Sequence, residues 1–332
     1  VTAQTSLKDA YRRNFTMGVA MGASHILEKD NRAQKLIKRE FNSVTPENHM
    51  KCENIHPEWS KYTFEMADRF VEFGQKNKME TIGHTLIWHS QLAPWMEKIA
   101  DSTEMKAFMQ DHINTIVSKY KGKINSWDVV NEALNEDGTL RQSVFLKTLG
   151  EKYLVDAFKL AAKADPKAAL YYNDYNIEEP AKRAGAIALI KKIKAEGGKI
   201  DGVGIQGHWR LHSPSIEEIE KSILEYSALG IKVAFTELDI TVLPNPWDLK
   251  GAEISQKFEG SAKMNPYPKA LPDSIQNKLA ERYASIFKLF LKHKDKISRV
   301  TFWGVYDGQS WLNDWPIKGR TNYPYRSVQA FT

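Results

Sequence analysis

Two glutamates stand where paired carboxyl groups could carry out hydrolysis. Glu132 directly follows the apolar run 126–131, and Glu237 lies near the end of a second run, 232–238. Cleavage of a glycosidic bond needs one carboxyl that protonates the leaving oxygen and a second that attacks the anomeric carbon or activates water there. We therefore predict Glu132 as general acid/base and Glu237 as nucleophile of a retaining reaction, with the two carboxyls about 5 to 5.5 Å apart.

Each glutamate taken alone also has an ordinary structural explanation. Asn131 could cap a helix whose dipole Glu132 complements, and Glu237 could form a salt bridge within a barrel. Other acidic residues near strand ends could replace either glutamate in a different assignment, namely Glu47, Asp174 and Asp239. Catalysis is favoured because the pair occupies equivalent positions on two strand candidates.

The elements that must hold the two glutamates alternate between short apolar runs and longer segments with helical periodicity. Strands are predicted at 16–23, 43–45, 81–88, 126–131, 169–173, 202–207, 232–238 and 299–305. Helices are predicted between them, for example at 64–77, 104–120, 145–164, 181–196 and 215–229, with Pro180 and a Ser215 to Glu218 capping box at two helix starts. Eight alternating units favour an α/β fold of the TIM-barrel type, (β/α)8, because closure removes both sheet edges.

Nearly every predicted strand ends in or runs into reactive side chains, and in a barrel these strand ends meet at one face. In chain order they are Glu47, Asn48 and Lys51; His84, Trp88 and His89; Asn131 and Glu132; Asn173, Asp174 and Tyr175; Gln206 and His208; Glu237 and Asp239; Trp303 and then Trp311. Two histidine pairs, His84 with His89 and His208 with His212, have only weak metal-ligand spacing. We expect no catalytic metal, since two carboxyls suffice for the reaction.

Composition and charge agree with one catalytic domain spanning 1–332. With 42% apolar residues the chain can bury a large core, and no apolar run is long enough to cross a bilayer. The net charge of +6 comes largely from lysines on predicted helices, which are usually solvated, so we expect no nucleic-acid partner. The single Cys52 cannot form an internal disulfide. The proline-rich segment 243–274 is predicted to be a long functional loop.

Several motifs resemble glycoside hydrolase family 10, the endo-β-1,4-xylanases. The strongest are WDVVNEA at 127–133 and TELD at 236–239, with further matches at 45–51, 83–91, 172–176, 204–208 and 301–304. The resemblance covers about residues 7–324 in the order of the family. It departs at 325–332, where family members usually continue into a closing helix, so we expect that helix to be absent or trimmed.

The resemblance implies roles for the other site residues. Asn131 would bind the 2-hydroxyl of the sugar being cleaved, and His208 would bridge Glu237 and Asp239. The remaining roles are these: His84 and Trp88 form the floor of the cleavage subsite; Asn173 and Gln206 orient the carboxyls; Glu47, Asn48, Lys51 and Gln91 bind the next sugar upstream; Tyr175 belongs to the same substrate-binding set; and Trp303 and Trp311 are aromatic walls, with Trp303 excluding a hydroxymethyl group.

The sequence thus predicts a retaining endo-β-1,4-xylanase that acts on xylan and xylo-oligosaccharides as a monomer without cofactor or membrane partner. Polymeric xylan cannot enter a cell, so we expect the protein to be secreted or held in the cell envelope, although its first residues do not form a leader. Two alternatives stay open: a barrel glycosidase for another β-1,4-glycan such as cellulose or mannan, and a non-catalytic xylan-binding barrel.

Overall fold

Parallel strands form a closed barrel in the computed structural model, which describes residues 4–328. In chain order the strands are β1 (Thr16–Met21), β2 (Ser43–Pro46), β3 (Glu80–Trp88), β4 (Ser126–Asn131), β5 (Ala169–Asp174), β6 (Gly202–Ile205), β7 (His208–Arg210), β8 (Lys232–Thr241) and β9 (Ile297–Phe302). Neighbouring strands pair in parallel in the order β6-β5-β4-β3-β2-β1-β9-β8-β7, and β6 also pairs with β8, which closes the ring. The predicted (β/α)8 barrel is confirmed.

Nine strands fill eight barrel positions because the sixth position is interrupted. A single strand was expected at 202–207, but β6 ends at Ile205 and β7 begins at His208. Gly207 between them has a φ of 81°, a left-handed conformation that breaks a strand. Both halves pair with β8. The interruption places Gln206 and His208 next to each other at the strand end.

Helices surround the barrel. They are α1 (Leu7–Ala10), α2 (Ala23–Ile26), α3 (Asn31–Glu40), α4 (Cys52–Ile55), α5 (Glu65–Lys76), α6 (Pro94–Glu97), α7 (Ser102–Lys119), α8 (Val144–Leu149), α9 (Lys152–Ala164), α10 (Pro180–Ala195), α11 (Ile216–Ser227) and α12 (Asp273–Lys292). The helix predicted over 145–164 is two helices, because Gly150 has a φ of 68° and ends α8. Pro180 opens α10 as expected.

The predicted capping box at the start of α11 is only half formed. The Ser215 hydroxyl accepts from the Glu218 backbone N–H, but the Glu218 side chain accepts from Arg183 instead of returning to the cap. Strand ends also differ slightly from expectation: β1 stops at Met21, and β9 covers Ile297–Phe302 where 299–305 was predicted. These shifts leave every strand that was predicted in place.

Apolar side chains, the Trp127 ring among them, fill the space between sheet and helices. Trp127 of β4 is 1% exposed and lies against Gly83 of β3, where a Cβ atom would overlap its ring. The strand that carries Asn131 and Glu132 at its end is therefore fixed by close packing along its length. Among residues 4–328, no helix is long and apolar enough to cross a membrane.

The long segment after β8 follows the prediction in outline. Residues 242–272 connect β8 to α12 and contain a short 3-10 helix, Ala262–Met264. The predicted loop 243–274 overlaps α12 by two residues, since α12 begins at Asp273. At the end of the described chain, residues 324–327 form turns. No closing helix was expected over 325–332, and residues 329–332 of that segment lie outside the described residues, as do residues 1–3.

Candidate active site

A cleft of about 180 Å³ lies at the carboxyl ends of the barrel strands. Its walls are formed by Glu47, Asn48, Lys51, His84, Trp88, Gln91, Asn131, Glu132, Gln206, His208, Glu237, Ala252, Ile254, Trp303 and Trp311. Of the other predicted site residues, Asn173 and Asp239 bond to this lining, and Tyr175 bonds to Arg141 behind it. The structure therefore brings the whole predicted set together, from strands that are far apart in sequence.

Glu132 follows β4 in a conformation that is unusual for its residue type. Its φ is 56°, in the left-handed region, and it does not begin a helix, since the next helix starts at Val144. The Trp88 indole N–H donates to one carboxyl oxygen at 2.7 Å, and the Gln206 amide donates to the other at 3.0 Å. The helix-start explanation of Asn131 and Glu132 is therefore wrong.

Burial raises the pKa of Glu132, which is 5% exposed. The charge of His89 and the Gln206 hydrogen bond lower the pKa, whereas the negative charges of Asp174 and Glu237 raise it. The net result is a pKa above the ordinary value for glutamate. A carboxyl of this kind keeps its proton into the range where an exposed glutamate has lost it.

Glu237, on β8, has the opposite balance. Burial alone would raise its pKa, but the hydrogen bond and charge of His208 outweigh burial, together with the charge of His84 and the Asn173 amide. The His208 Nε2 lies 3.1 Å from one carboxylate oxygen, and the Asn173 amide donates to the other at 3.0 Å. The pKa of Glu237 is lowered, and its carboxylate is ionised at neutral pH.

His208 lies between two carboxylates. Its Nδ1 donates to Asp239 at 2.9 Å while its Nε2 faces Glu237, and the Trp311 indole N–H holds the second oxygen of Asp239 at 2.8 Å. Burial lowers the pKa of His208, but the charges and hydrogen bonds of Asp239 and Glu237 raise it to about 10. The imidazole is therefore a cation at neutral pH, and it neutralises part of the charge on Glu237.

Side-chain amides link the two glutamates. Asn131 Oδ1 accepts from Asn173 at 2.9 Å and from Gln206 at 3.4 Å. Those two donors also hold Glu237 and Glu132 respectively. All of these side chains are at most 6% exposed, so few solvent contacts can disturb their orientation. The carboxyls are thus fixed relative to each other by a shared network.

One end of the cleft carries a group of polar side chains around a buried amine. Lys51 Nζ donates to Asn48 at 3.0 Å and to Gln91 at 3.1 Å, and lies 4.9 Å from the centre of the Trp88 ring. Burial lowers the pKa of Lys51 and raises that of Glu47, against their mutual attraction. These donors and acceptors suit the hydroxyls of a sugar whose ring stacks on an indole.

The floor and one wall of the cleft are aromatic. His84 is held by Asp128, whose carboxylate lies 2.8 Å from its Nδ1, and the His84 ring meets Trp303 edge-on at 5.5 Å. Trp311 contacts His208 in the same edge-on manner at 4.8 Å. Rings that are fixed in this way offer rigid surfaces to a bound ring and exclude bulky substituents.

Two of the carboxyls that could have replaced either glutamate, Asp174 and Asp239, are bonded to other side chains. Asp174 is fully buried, with the Lys182 ammonium 3.1 Å away and the Tyr172 hydroxyl as a further partner. Asp239 is engaged by His208 and Trp311. Tyr175, predicted as a substrate ligand, is 3% exposed, and its hydroxyl accepts from Arg141 at 2.7 Å. It supports the site from behind the cleft lining.

Several residues of the site were not predicted from the sequence. Ala252 and Ile254 bring the long segment after β8 to the cleft, and Arg141 and Glu253 join that segment to the turn after β4. A larger cavity of about 580 Å³ adjoins the cleft and shares His208 and Ala252 with it. These residues come from loops, where no strand or helix pattern marks them. The site therefore extends from the narrow cleft into a wider cavity beside it.

One group of side chains has the composition of a metal site. Donor atoms of His89, Glu132 and Glu253 lie within 4.8 Å of one another. The Arg141 guanidinium donates to Glu253 at 3.0 Å, at the same oxygen that faces His89. A fixed cation beside these donors opposes the binding of a second cation. Of the proposed histidine pairs, His84 is held by Asp128 and His208 by Asp239.

Sequence comparisons extend this description. The model of glycosyl hydrolase family 10 matches residues 6–327. An endo-1,4-beta-xylanase A from Xylanibacter ruminicola is 44% identical over 96% of this chain and 88% of its own length. A beta-1,4-xylanase from Dictyoglomus thermophilum is 40% identical over 96% of this chain and 85% of its own length.

Solved structures agree with the sequence comparisons. A family 10 endoxylanase retrieved from a sugarcane soil metagenome superimposes with a TM-score of 0.93 and 46% identity, covering 96% of this chain and 94% of that one. Xylanase XynB from Paenibacillus barcinonensis gives a TM-score of 0.87 at 36% identity, covering 98% and 94%. With a family match along almost its entire length and the paired glutamates at the cleft, the chain belongs to glycosyl hydrolase family 10.

Proposed function

We propose that this chain is a retaining endo-1,4-β-xylanase in which Glu132 is the general acid/base and Glu237 the nucleophile. The observation that carries the proposal is that two glutamates line one cleft with opposite surroundings, an indole and an amide around Glu132 and a histidine and an amide around Glu237. The pKa of Glu132 is raised and that of Glu237 lowered, so one is an acid and the other an anion at the same pH. Glycoside hydrolysis with retention requires this pair of states.

The first half of the reaction uses both states. A xylan chain lies along the groove, with the sugar to be cleaved above Trp88 and the leaving part in the larger cavity. Glu132 protonates the departing glycosidic oxygen while the Glu237 carboxylate attacks the anomeric carbon. The products are a shortened xylan chain and a covalent glycosyl ester on Glu237.

Ester formation prepares the second half. The negative charge of Glu237 raises the pKa of Glu132, and that charge disappears when the ester forms. Glu132, now deprotonated, takes a proton from water, which attacks the anomeric carbon and releases Glu237. The His208 cation then faces a carboxylate again. Two inversions at one carbon give a product with the β configuration of the substrate.

The proposed preference for xylan rests on the shape and polarity of the groove. Trp303 packs edge-on against His84 at the cleavage position. A glucose or mannose ring would carry an additional hydroxymethyl group there, and the Trp303 ring excludes it. The polar group around Lys51 supplies partners for ring hydroxyls. The proposal also places the protein outside the cell or in the cell envelope, because polymeric xylan cannot enter a cell. The protein acts there as a monomer.

A polysaccharide panel tests the proposal. Reducing-sugar release should be highest on xylan and much lower on mannan and carboxymethylcellulose, with short oligosaccharides as products. Proton NMR of the first products should show the β anomer before mutarotation. Higher activity on mannan or cellulose would assign another glycan, absence of release from every substrate would favour a binding protein, and initial α anomer would exclude double displacement.

A further inference from the structure

The long segment after β8 reaches the catalytic cleft through one carboxylate. Ala252 and Ile254 line the cleft, and Glu253 between them is 19% exposed at its side chain. One oxygen of Glu253 accepts from His89 Nε2 at 3.0 Å and from Arg141 Nη1 at 3.0 Å. The other oxygen accepts from a backbone N–H of its own turn. A residue at a loop tip is thereby tied to two elements of the barrel mouth.

Arg141 holds the backbone of the residue proposed as the acid. Its Nε donates to the Glu132 carbonyl at 2.9 Å, and its Nη2 donates to the Leu134 carbonyl at 3.3 Å and to the Tyr175 hydroxyl at 2.7 Å. The left-handed φ of Glu132 is a strained conformation that persists only when its surroundings fix it. The Arg141 guanidinium fixes this conformation through its bonds to the two carbonyls.

A cation in this position creates an electrostatic problem. A nearby positive charge favours the ionised form of a carboxyl, whereas a general acid must keep its proton. Arg141 and Glu132 do attract each other. Glu253 supplies a compensating negative charge within 4.8 Å of the Glu132 carboxyl. Burial would raise the pKa of Glu253, but the hydrogen bond and charge of His89, with Arg141, lower it to about 2.

We propose that Glu253 is a positioning residue for Glu132. Its carboxylate offsets the charge of Arg141 and fixes the Arg141 and His89 side chains, so the turn that carries the acid is held with less positive charge beside it. The inference rests on the proposed function, since it assigns Glu132 the acid role. It also assigns a role to the segment 242–272, because this segment carries Glu253, the counter-charge of Arg141.

Other charged groups also act on Glu132, and one of them, His89, bonds to Glu253 as well. The others are Asp174 at the end of β5, Glu237 on β8, Lys51 after β2 and Arg141, whereas the buried Tyr175 hydroxyl is neutral. Replacement of Glu253 by glutamine therefore removes one negative charge and leaves the residues that carry the other charges in place. The glutamine side chain has the same length and an oxygen that accepts a hydrogen bond, so it conserves the contact to His89.

The test compares pH profiles of kcat/KM for xylohexaose in wild type and Glu253→Gln. The alkaline limb should move to lower pH by about one unit, because Glu132 then faces Arg141 without the counter-charge and loses its proton earlier. The acid limb, which reports Glu237, should not move. With an aryl β-xylobioside whose leaving group needs no proton, kcat/KM should stay within about twofold of wild type. That split separates an effect on the acid from general damage to the fold.

Three further variants sharpen the result. Glu259→Gln removes an exposed glutamate of the same segment and should leave both limbs in place. Glu253→Asp conserves the charge and should conserve the alkaline limb. Arg141→Gln should move that limb to higher pH, and Arg141→Gln combined with Glu253→Gln should return it towards wild type. If Glu253→Gln folds poorly, the shift of the alkaline limb in Arg141→Gln still tests whether the charge of Arg141 acts on Glu132.

The inference is overturned if the alkaline limb of folded Glu253→Gln coincides with that of wild type, or if Glu259→Gln shifts it equally. It is also overturned if Arg141→Gln leaves the limb unchanged. Failure of the proposed function looks different, because the wild-type protein would then release no xylo-oligosaccharides or Glu237→Ala would still release them. An active wild type with an unmoved limb would reject the role of Glu253 alone.

Discussion

The ends of β4 and β8 each present a glutamate to the same cleft, but the two glutamates have different neighbours. Glu237 meets a histidine cation and an amide N–H. Glu132 meets an indole N–H and an amide, with the carboxylates of Asp174 and Glu237 close enough to raise its pKa. Burial acts in the same direction on both residues, so burial alone would give two weak acids.

The difference between the two ends shows where the chemical roles originate. A barrel strand can deliver a carboxyl to the mouth, but only the charges around that carboxyl decide whether it holds or loses a proton. His208 performs this function for Glu237, and its own charge depends on Asp239. If this comparison is correct, changes at the two ends will have effects that differ in kind as well as in size.

The largest effect is expected at the β8 end. Glu237→Ala removes the group that attacks the anomeric carbon, and the nearby Asp239 is already engaged by His208 and Trp311. Activity on xylan and on aryl xylosides should fall together, by about 10⁴-fold or more. Steady-state rates on both substrates measure this. Glu217→Ala, at an exposed glutamate of α11, is the matched control and should behave as wild type.

The β4 end should respond selectively. Glu132→Ala should reduce kcat/KM on xylan by about 10² to 10⁴-fold, the usual contribution of a general acid. Formation of the glycosyl ester from an aryl xyloside with a good leaving group should be much less affected, because that oxygen departs without a proton. Pre-steady-state release of the phenol measures the step. Equal losses on the two substrates would contradict the acid role.

The comparison between the two ends was accessible from the sequence only in part. Parallel strands converge at their carboxyl ends, so a polar residue that follows an apolar run, such as His84, Glu132 or Glu237, could be placed at the mouth. The family motifs then added roles that geometry alone did not assign. His208 and Asp239, which act on Glu237 directly and in turn, could be placed at the mouth for the same reason, since each directly follows a predicted strand.

The parts that escaped prediction lack a regular pattern. Arg141 and Glu253 lie in irregular segments that meet only in three dimensions, and neither residue type marks a site by itself. The helix break at Gly150 and the strand break at Gly207 depend on left-handed backbone, which glycine permits but does not require. Sequence periodicity therefore locates the strand ends well, but it does not show which loop residues complete the site.

A smaller and more specific change is expected when the cation beside Glu237 is removed. In His208→Asn the pKa of Glu237 should rise, because the hydrogen bond and charge that lower it are lost. Glu237 must be ionised to attack, so the acid limb of kcat/KM should move to higher pH, by on the order of one unit. At one pH unit below the wild-type limb, the activity of His208→Asn should therefore be about tenfold lower than that of wild type. A shift of the alkaline limb instead would assign His208 to the other glutamate.

The smallest effect should come from the amide that donates to Glu132. The Gln206 hydrogen bond at 3.0 Å favours the ionised carboxylate and lowers its pKa, so Gln206→Met should raise the pKa of Glu132. The acid would then keep its proton to higher pH, and the alkaline limb should move up by about half a unit, the size of one hydrogen bond in free energy. This shift is opposite in sign to the one expected for Glu253→Gln. The two variants measured side by side would show whether neighbouring hydrogen bonds and charges act on one and the same proton.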